Sequence, residues 1–292
     1  MASRIEMKAP LIVIIGETAS GKSEMAMDLA LKFNGEIIAA DSRTIYRGLD
    51  IGSAKPTKED QKKIRHHLID IIEPDELFTV SDFKNAAQKA IKDITNRGKI
   101  AFLVGGSGLY VDSVLYNFEF RPPGRPEDRL WLEKLSVEDL QRRITEQGLE
   151  LPNNPKNPRH LIRTLESNGA PIKKHRLVPK TLIIGTTRSN QELKARLEDR
   201  LDIMLNKGLL DEIKHLSKRY GWDLPSMQIP IYKAFKKYLA DGVTLDEAIK
   251  FSVSNEMKLA RKQRTWFKRN KAVHWINKQR QAVDLITTKL NK

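Results

Sequence analysis

LIVIIGETASGKSEMAMDLALKF, residues 11–33, runs from an apolar pentad through a glycine-bearing turn into a helical pattern. Within it, GETASGKS (16–23) fits G-x-x-x-x-G-K-[ST] without a mismatch, and the strand before and helix after are the context that confirms this motif. Glycines let backbone amides turn onto phosphate oxygens, and the helix start adds its positive dipole end. Lys22 supplies a charge, and Ser23 is expected to ligate magnesium. A phosphate-bearing nucleotide or a diphosphate is thus expected against Gly16, Glu17, Thr18, Ala19, Ser20, Gly21, Lys22 and Ser23.

Outward from this loop, short apolar runs alternate with helical patterns. EIIAA (36–40), HLIDII (67–72) and IAFLV (100–104) read as buried parallel strands, with helices over 22–33 and 80–97. The fold class is therefore α/β, a P-loop-containing parallel sheet flanked by helices. After Phe120 the pattern breaks. Residues 121–179 hold more than half of the thirteen prolines, with helical pieces near 137–147 and 159–166. They read as an inserted, mainly helical domain, leaving 1–120 and 180–292 as the core. The strand pattern returns at TLIIGTT (181–187), Ser189/Glu192 and Thr244/Glu247 form capping boxes, and 272–276 reads as an edge strand.

Phosphate machinery does not say what the phosphate belongs to. ATP-hydrolysing P-loop proteins place an acid after a later strand to help hold magnesium, but IAFLV runs into Gly105-Gly106-Ser107-Gly108. Acids stand instead at Asp41, directly after the second strand, and at Asp70. Asp41 stands where a general base, or a magnesium-side carboxylate, would be.

The chain has 292 residues and a formal charge of +15, which favours a polyanionic partner. It has no cysteine, which excludes disulfides, thiolate catalysis and Cys-ligated zinc. No stretch approaches the ~20 apolar residues of a membrane span, and a cytoplasmic protein is expected. His66 and His67, adjacent on a strand, point to different sides and cannot chelate one ion; a structural role is expected.

These motifs resemble those of the tRNA dimethylallyltransferases (tRNA isopentenyltransferases), in the bacterial type without a C-terminal zinc finger. The matching segments are GETASGKS, DSRTIYRGLDIGSAKP (41–56), HHLID (66–70), GGSGLY (105–110), RLEDRLDIMLNKGLLDE (196–212) and ARKQRTWFKR (260–269). They run in order along nearly the whole chain. The resemblance implies a P-loop core with an inserted helical domain. It also implies transfer of a dimethylallyl group from dimethylallyl diphosphate to N6 of adenosine 37 in the tRNA anticodon loop, with Mg2+, by a monomer. The P-loop then cradles a leaving group rather than ATP.

By the same resemblance Asp41 is the base that takes the N6 proton. Arg200 and Lys22 stabilise the departing diphosphate, and Ser107 bonds the adenosine or a phosphate. Contacts to tRNA are implied for Asp41, Ser42, Arg43, Thr44, Ser107, Arg129, Arg159, His160, Arg163, Tyr232 and Lys233. The stretch 258–271, with Arg261, Lys262, Arg264, Lys268 and Arg269, offers further phosphate contacts. Its Trp266 and Phe267 read either as base-stacking residues or, more readily, as a core-facing stripe. The chain departs from the family pattern at Glu17 (proline in the family), Thr44 (glutamine) and Ile231-Tyr232 (Gly-Tyr). Glu17 is expected to set a negative charge near the diphosphate.

Overall fold

A computed structural model describes residues 9–120 and 126–291. Six strands form one wholly parallel sheet: β1 (Leu11–Gly16), β2 (Gly35–Ala39), β3 (His66–His67), β4 (Ile100–Gly105), β5 (Thr181–Thr186) and β6 (Val273–Ile276). Their spatial order is β3-β2-β4-β1-β5-β6. Parallel strands need crossovers, so helices cover the sheet. Ile12 and Ile14 pack with α1 (Lys22–Lys32) and α12 (Gln279–Leu290) in one core cluster. Leu11 and Val13, which alternate to the other face, are equally buried. This is why β1 lacks a polar face in the sequence.

The chain divides into two compact units, one of residues 1–115 with 177–292 and one of residues 116–176. The first also holds α2 (Lys58–Lys63), α3 (Val80–Asn96), α4 (Gly108–Leu115), α8 (Asn190–Asn206), α9 (Leu209–Tyr220), α10 (Pro230–Ala240) and α11 (Leu245–Lys268). Its second core cluster joins α8 to α11 around Leu201, Ile213, Tyr232 and Phe235. The second unit holds α5 (Pro126–Leu132), α6 (Val137–Glu146) and α7 (Pro158–Glu166), packed through Leu140, Ile144 and Leu161.

Both expected capping boxes form, Ser189 with Glu192 opening α8 and Thr244 with Glu247 opening α11. Each such cap contributes about 1 kcal/mol. The strand expected over 67–72 is corrected, since β3 spans only His66–His67. Leu68 and Asp70 have φ of 63° and 55°, left-handed values that no continuing strand accepts. The basic stretch 258–271 is the last part of the 24-residue α11 together with the three residues that follow it.

Candidate active site

Three neighbouring strands discharge into one cleft at their C-terminal ends, where open parallel sheets place their ligand crevice. β1 enters the P-loop, β2 ends two residues before Asp41, and β4 ends two residues before Ser107. A cavity of about 970 Å³ opens there, and its walls include Lys22, Asp41, Ser107, Arg200 and Trp266.

Gly16 has no room for a side chain, because a Cβ would lie 2.4 Å from the Thr186 hydroxyl on β5. The loop then turns through Ala19 (φ 61°) and Gly21 (φ 92°) into α1. The first-turn amides of α1 have no acceptor inside the helix and face an anion site. Lys22 Nζ donates to the Glu17 carbonyl at 3.4 Å. Burial presses this ammonium below the ordinary lysine range, with Asp41 opposing the shift. Ser23 is exposed in the same cavity.

Asp41 is half-buried, and its Oδ1 accepts the Arg43 amide at 2.9 Å. Ser107 Oγ accepts the Ser42 amide at 3.0 Å, which ties the β4 loop to the Asp41 segment. Thr44 is buried beside them, and its Oγ1 has no protein partner. Arg200 reaches in from α8, with Nη1 donating to Thr18 Oγ1 at 3.1 Å. Burial pushes its pKa down, and Glu256 opposes that shift most strongly.

The cavity therefore collects Thr18, Ala19, Gly21, Lys22, Ser23, Asp41, Ser42, Arg43, Thr44, Ser107 and Arg200. Other expected residues fall elsewhere. Gly16 and Ser20 serve the junction with β5, the Ser20 hydroxyl lying 2.7 Å from that of Thr186. The Thr18 amide is already committed to Gln263 Oε1 at 2.8 Å, so it is removed from the phosphate donors.

Glu17 is corrected most fully. Its carboxylate is wholly buried, accepting from Arg264 Nη2 and Thr187 Oγ1 at 2.9 Å each. The charge expected beside the diphosphate is thus neutralised behind the loop. Arg264, expected on phosphates, is consumed by the same pair.

Tyr232 is also corrected as a surface contact. It is fully buried, and its hydroxyl donates to Glu212 Oε1 at 2.7 Å. Lys233 is exposed on α10. Asp70 binds Lys55 at 2.5 Å and does not line the cavity. In the second unit Arg159 and His160 are exposed, while Arg129 and Arg163 both reach Glu166, at 3.1 and 3.4 Å.

The sequence reading misses three polar residues of α11 and α8. Gln263 holds the Thr18 amide and donates to the Gly106 carbonyl at 3.1 Å, bridging the P-loop and the β4 loop. Arg196 Nε donates to the Ala19 carbonyl at 2.9 Å. Glu256, 2% exposed, receives Arg43 and Arg200. The available signal is periodicity, since Glu256 and Gln263 recur at heptad spacing beside the buried Ala260 and Phe267. A polar residue on a core-facing stripe must have a partner. Phe267 is core, and Trp266 walls the cavity while its Nε1 donates to Asp112 at 2.9 Å.

Comparison with known proteins places this geometry among relatives. The family model described as IPP transferase matches residues 44–270. A tRNA dimethylallyltransferase of Staphylococcus epidermidis is 37% identical, covering 98% of this chain and 94% of its own length. Another, from Roseiflexus, is 42% identical over 89% and 90%. A solved tRNA isopentenylpyrophosphate transferase of Bacillus halodurans superposes with a TM-score of 0.75 at 36% identity, covering 97% of each chain. A eukaryotic dimethylallyltransferase acting on tRNA gives 0.72 at 26% identity, over 89% of this chain and 70% of that one. With its P-loop, its Asp41 segment and its long α11 all within such matches, the chain belongs to the IPP transferase family.

Proposed function

We propose that this protein transfers a dimethylallyl group from dimethylallyl diphosphate to the exocyclic N6 of adenosine 37, beside the anticodon of tRNA, in the cytoplasm. The observation that carries the reading is the convergence of Lys22, Asp41, Ser107 and Arg200 on one cavity, in a chain whose relatives bear that activity in their names.

Adenine N6 is a poor nucleophile, because its lone pair is delocalised into the ring. Asp41, at the mouth of β2, accepts a proton as N6 bonds to the allylic carbon, help typically worth ~10²–10⁴-fold. The carbon–oxygen bond breaks and its electron pair leaves with the diphosphate. Lys22, Arg200 and the first-turn amides of α1 stabilise that developing charge. Thr44 Oγ1, a buried hydroxyl with no protein partner, is available to the edge of an extruded base.

Magnesium fits as an ion carried by the diphosphate. Ser23 offers one hydroxyl, and no group of three His, Cys, Asp or Glu among the described residues gathers to hold a metal. Such an ion supplies charge neutralisation to phosphate oxygens while keeping several waters. The exposed Arg159, His160, Lys233, Arg261, Lys262, Lys268 and Arg269 are proposed to meet tRNA phosphates. The chain is proposed to work as a monomer.

The test incubates the protein with dimethylallyl diphosphate, magnesium and either unmodified tRNA or AMP, and weighs the nucleosides. Dimethylallyl mass on tRNA is expected. Mass on AMP alone would convert the reading to an adenylate prenyltransferase, and mass on neither would end it. Asp41→Ala should abolish transfer with tRNA affinity retained; surviving activity would remove Asp41 from the role of base.

A further inference from the structure

Glu256 is the one acid of the long α11 that is buried, and it is buried between two cations. Its Oε1 accepts Arg43 Nη1 at 3.2 Å, and its Oε2 accepts Arg200 Nη2 at 3.2 Å. Oε2 also accepts the Thr18 hydroxyl at 3.2 Å, and Arg200 Nη1 donates to that same hydroxyl. Both carboxylate oxygens are therefore committed, one toward the acceptor segment and one toward the P-loop.

Two consequences follow. The first is geometric. Arg200 is held at both ends of its guanidinium, so the face it presents to the cavity is set before any ligand arrives. The second is electrostatic. Lys22, Arg43 and Arg200 gather around Asp41, with Arg196 and Lys262 on the same walls, and Glu256 takes one unit off the local positive excess. An anion site with the larger excess would grip diphosphate as firmly in the ground state and in the product as in the transition state. Uniform binding of that kind does not speed the chemical step.

We propose that Glu256 is a positioning residue and built-in counter-ion. It braces Arg200 against Arg43 and tempers the affinity of the cleft for a pyrophosphate-type anion, so that the leaving group is stabilised yet released. This rests on the reading that Arg200 and the P-loop meet the diphosphate.

The test titrates inorganic pyrophosphate, with magnesium, into wild type, Glu256→Gln, Glu256→Asp and Arg43→Gln/Glu256→Gln by calorimetry, alongside steady-state transfer to tRNA. Glu256→Gln should bind pyrophosphate about tenfold more tightly, because one nearby negative charge is gone. Its kcat should fall by about tenfold and its KM for donor should drop with it. The double variant, which removes one charge of each sign, should return pyrophosphate affinity to within about twofold of wild type. Glu256→Asp, the safeguard should the glutamine variant not fold, should keep wild-type pyrophosphate affinity while losing kcat.

Equal or weaker pyrophosphate binding by Glu256→Gln would overturn the proposal, since a mere structural brace predicts that result. So would weaker binding by Glu256→Asp. Because the titration needs no tRNA, the two readings fail separately. Wild type that binds pyrophosphate but does not modify tRNA would sink the function. A normal transfer assay with unmoved pyrophosphate affinity in the variants would sink only the role of Glu256.

Discussion

Glu17 illustrates what one side chain conceals until its neighbours are known. Between Gly16 and Thr18 it can be read only as a charge beside the phosphate site. The fold turns its carboxylate to Arg264, 247 residues away, and to the Arg188 amide at 3.2 Å. Removing one partner of such a pair leaves the other cation without compensation, which typically costs 3–5 kcal/mol, whereas replacing both by apolar groups is often neutral. Glu17→Ala should therefore lower unfolding free energy by about 3 kcal/mol in urea denaturation, and Glu17→Ala/Arg264→Met should regain most of it. A loss below about 0.5 kcal/mol for the single variant would mean that the pair contributes nothing. Pyrophosphate affinity in Glu17→Ala/Arg264→Met, which removes one charge of each sign behind the loop, should stay within about twofold of wild type.

At the scale of elements, two carboxylates hold segments whose own sequence does not stabilise them. Glu212, on α9, accepts three consecutive amides, those of Asp50, Ile51 and Gly52, at 2.9, 2.6 and 2.8 Å. Gly52 lies so close over Tyr232 that a Cβ would sit 2.3 Å from its ring, and this loop walls the cleft. Glu212→Ala should thus raise the donor KM severalfold and lower stability by about 3 kcal/mol, each stranded amide costing ~1–3 kcal/mol before water relieves it. An unchanged KM would detach the loop from the site. Glu36, on β2, does the same for the sheet edge, gripped by Arg97, Lys99 and His67. Arg97 above all holds its carboxyl well below the ordinary glutamate value of 4.5. A depressed carboxyl stabilises above its unfolded pKa and loses that contribution as pH falls through the folded one. The Tm gap between wild type and Glu36→Gln should hold from pH 7 to about 5 and then narrow progressively on further acidification; a gap as wide at pH 3 as at pH 7 would refute the linkage. These clasps also mark where the sequence is legible. Buried strands such as LIVII and IAFLV announce themselves because both faces are apolar, and the P-loop because phosphate binding needs its residues contiguous. Glu212, Gln263 and Glu256 stay hidden because each has a partner 160 or more residues away, which only the fold brings to it. HLIDII misleads because apolar content alone does not reveal the left-handed turns at Leu68 and Asp70.

For the whole molecule, the excess of fifteen positive charges decides how a large acceptor arrives. Some cations are spent internally: Arg264 on Glu17, Arg43 and Arg200 on Glu256, and Arg129 on Glu166. Arg261, Lys262, Lys268 and Arg269 at the end of α11 and just beyond it remain exposed, as does Lys233 on α10. No helix among the described residues is long and apolar enough to cross a membrane. Phosphate contacts release counterions, and about five of them would weaken tRNA binding about a hundredfold between roughly 50 and 200 mM salt. A filter-binding series should show that slope. Arg261→Gln/Lys268→Gln, at exposed positions outside the cavity wall, should flatten it by about one to two contacts, while dimethylallyl transfer at saturating tRNA stays near wild type. Pyrophosphate binding, which depends on the cleft's inward cations, should be the same in this variant and wild type at every salt concentration. A slope that the double substitution leaves untouched would move the RNA footprint off the end of α11, with the cleft chemistry unaffected.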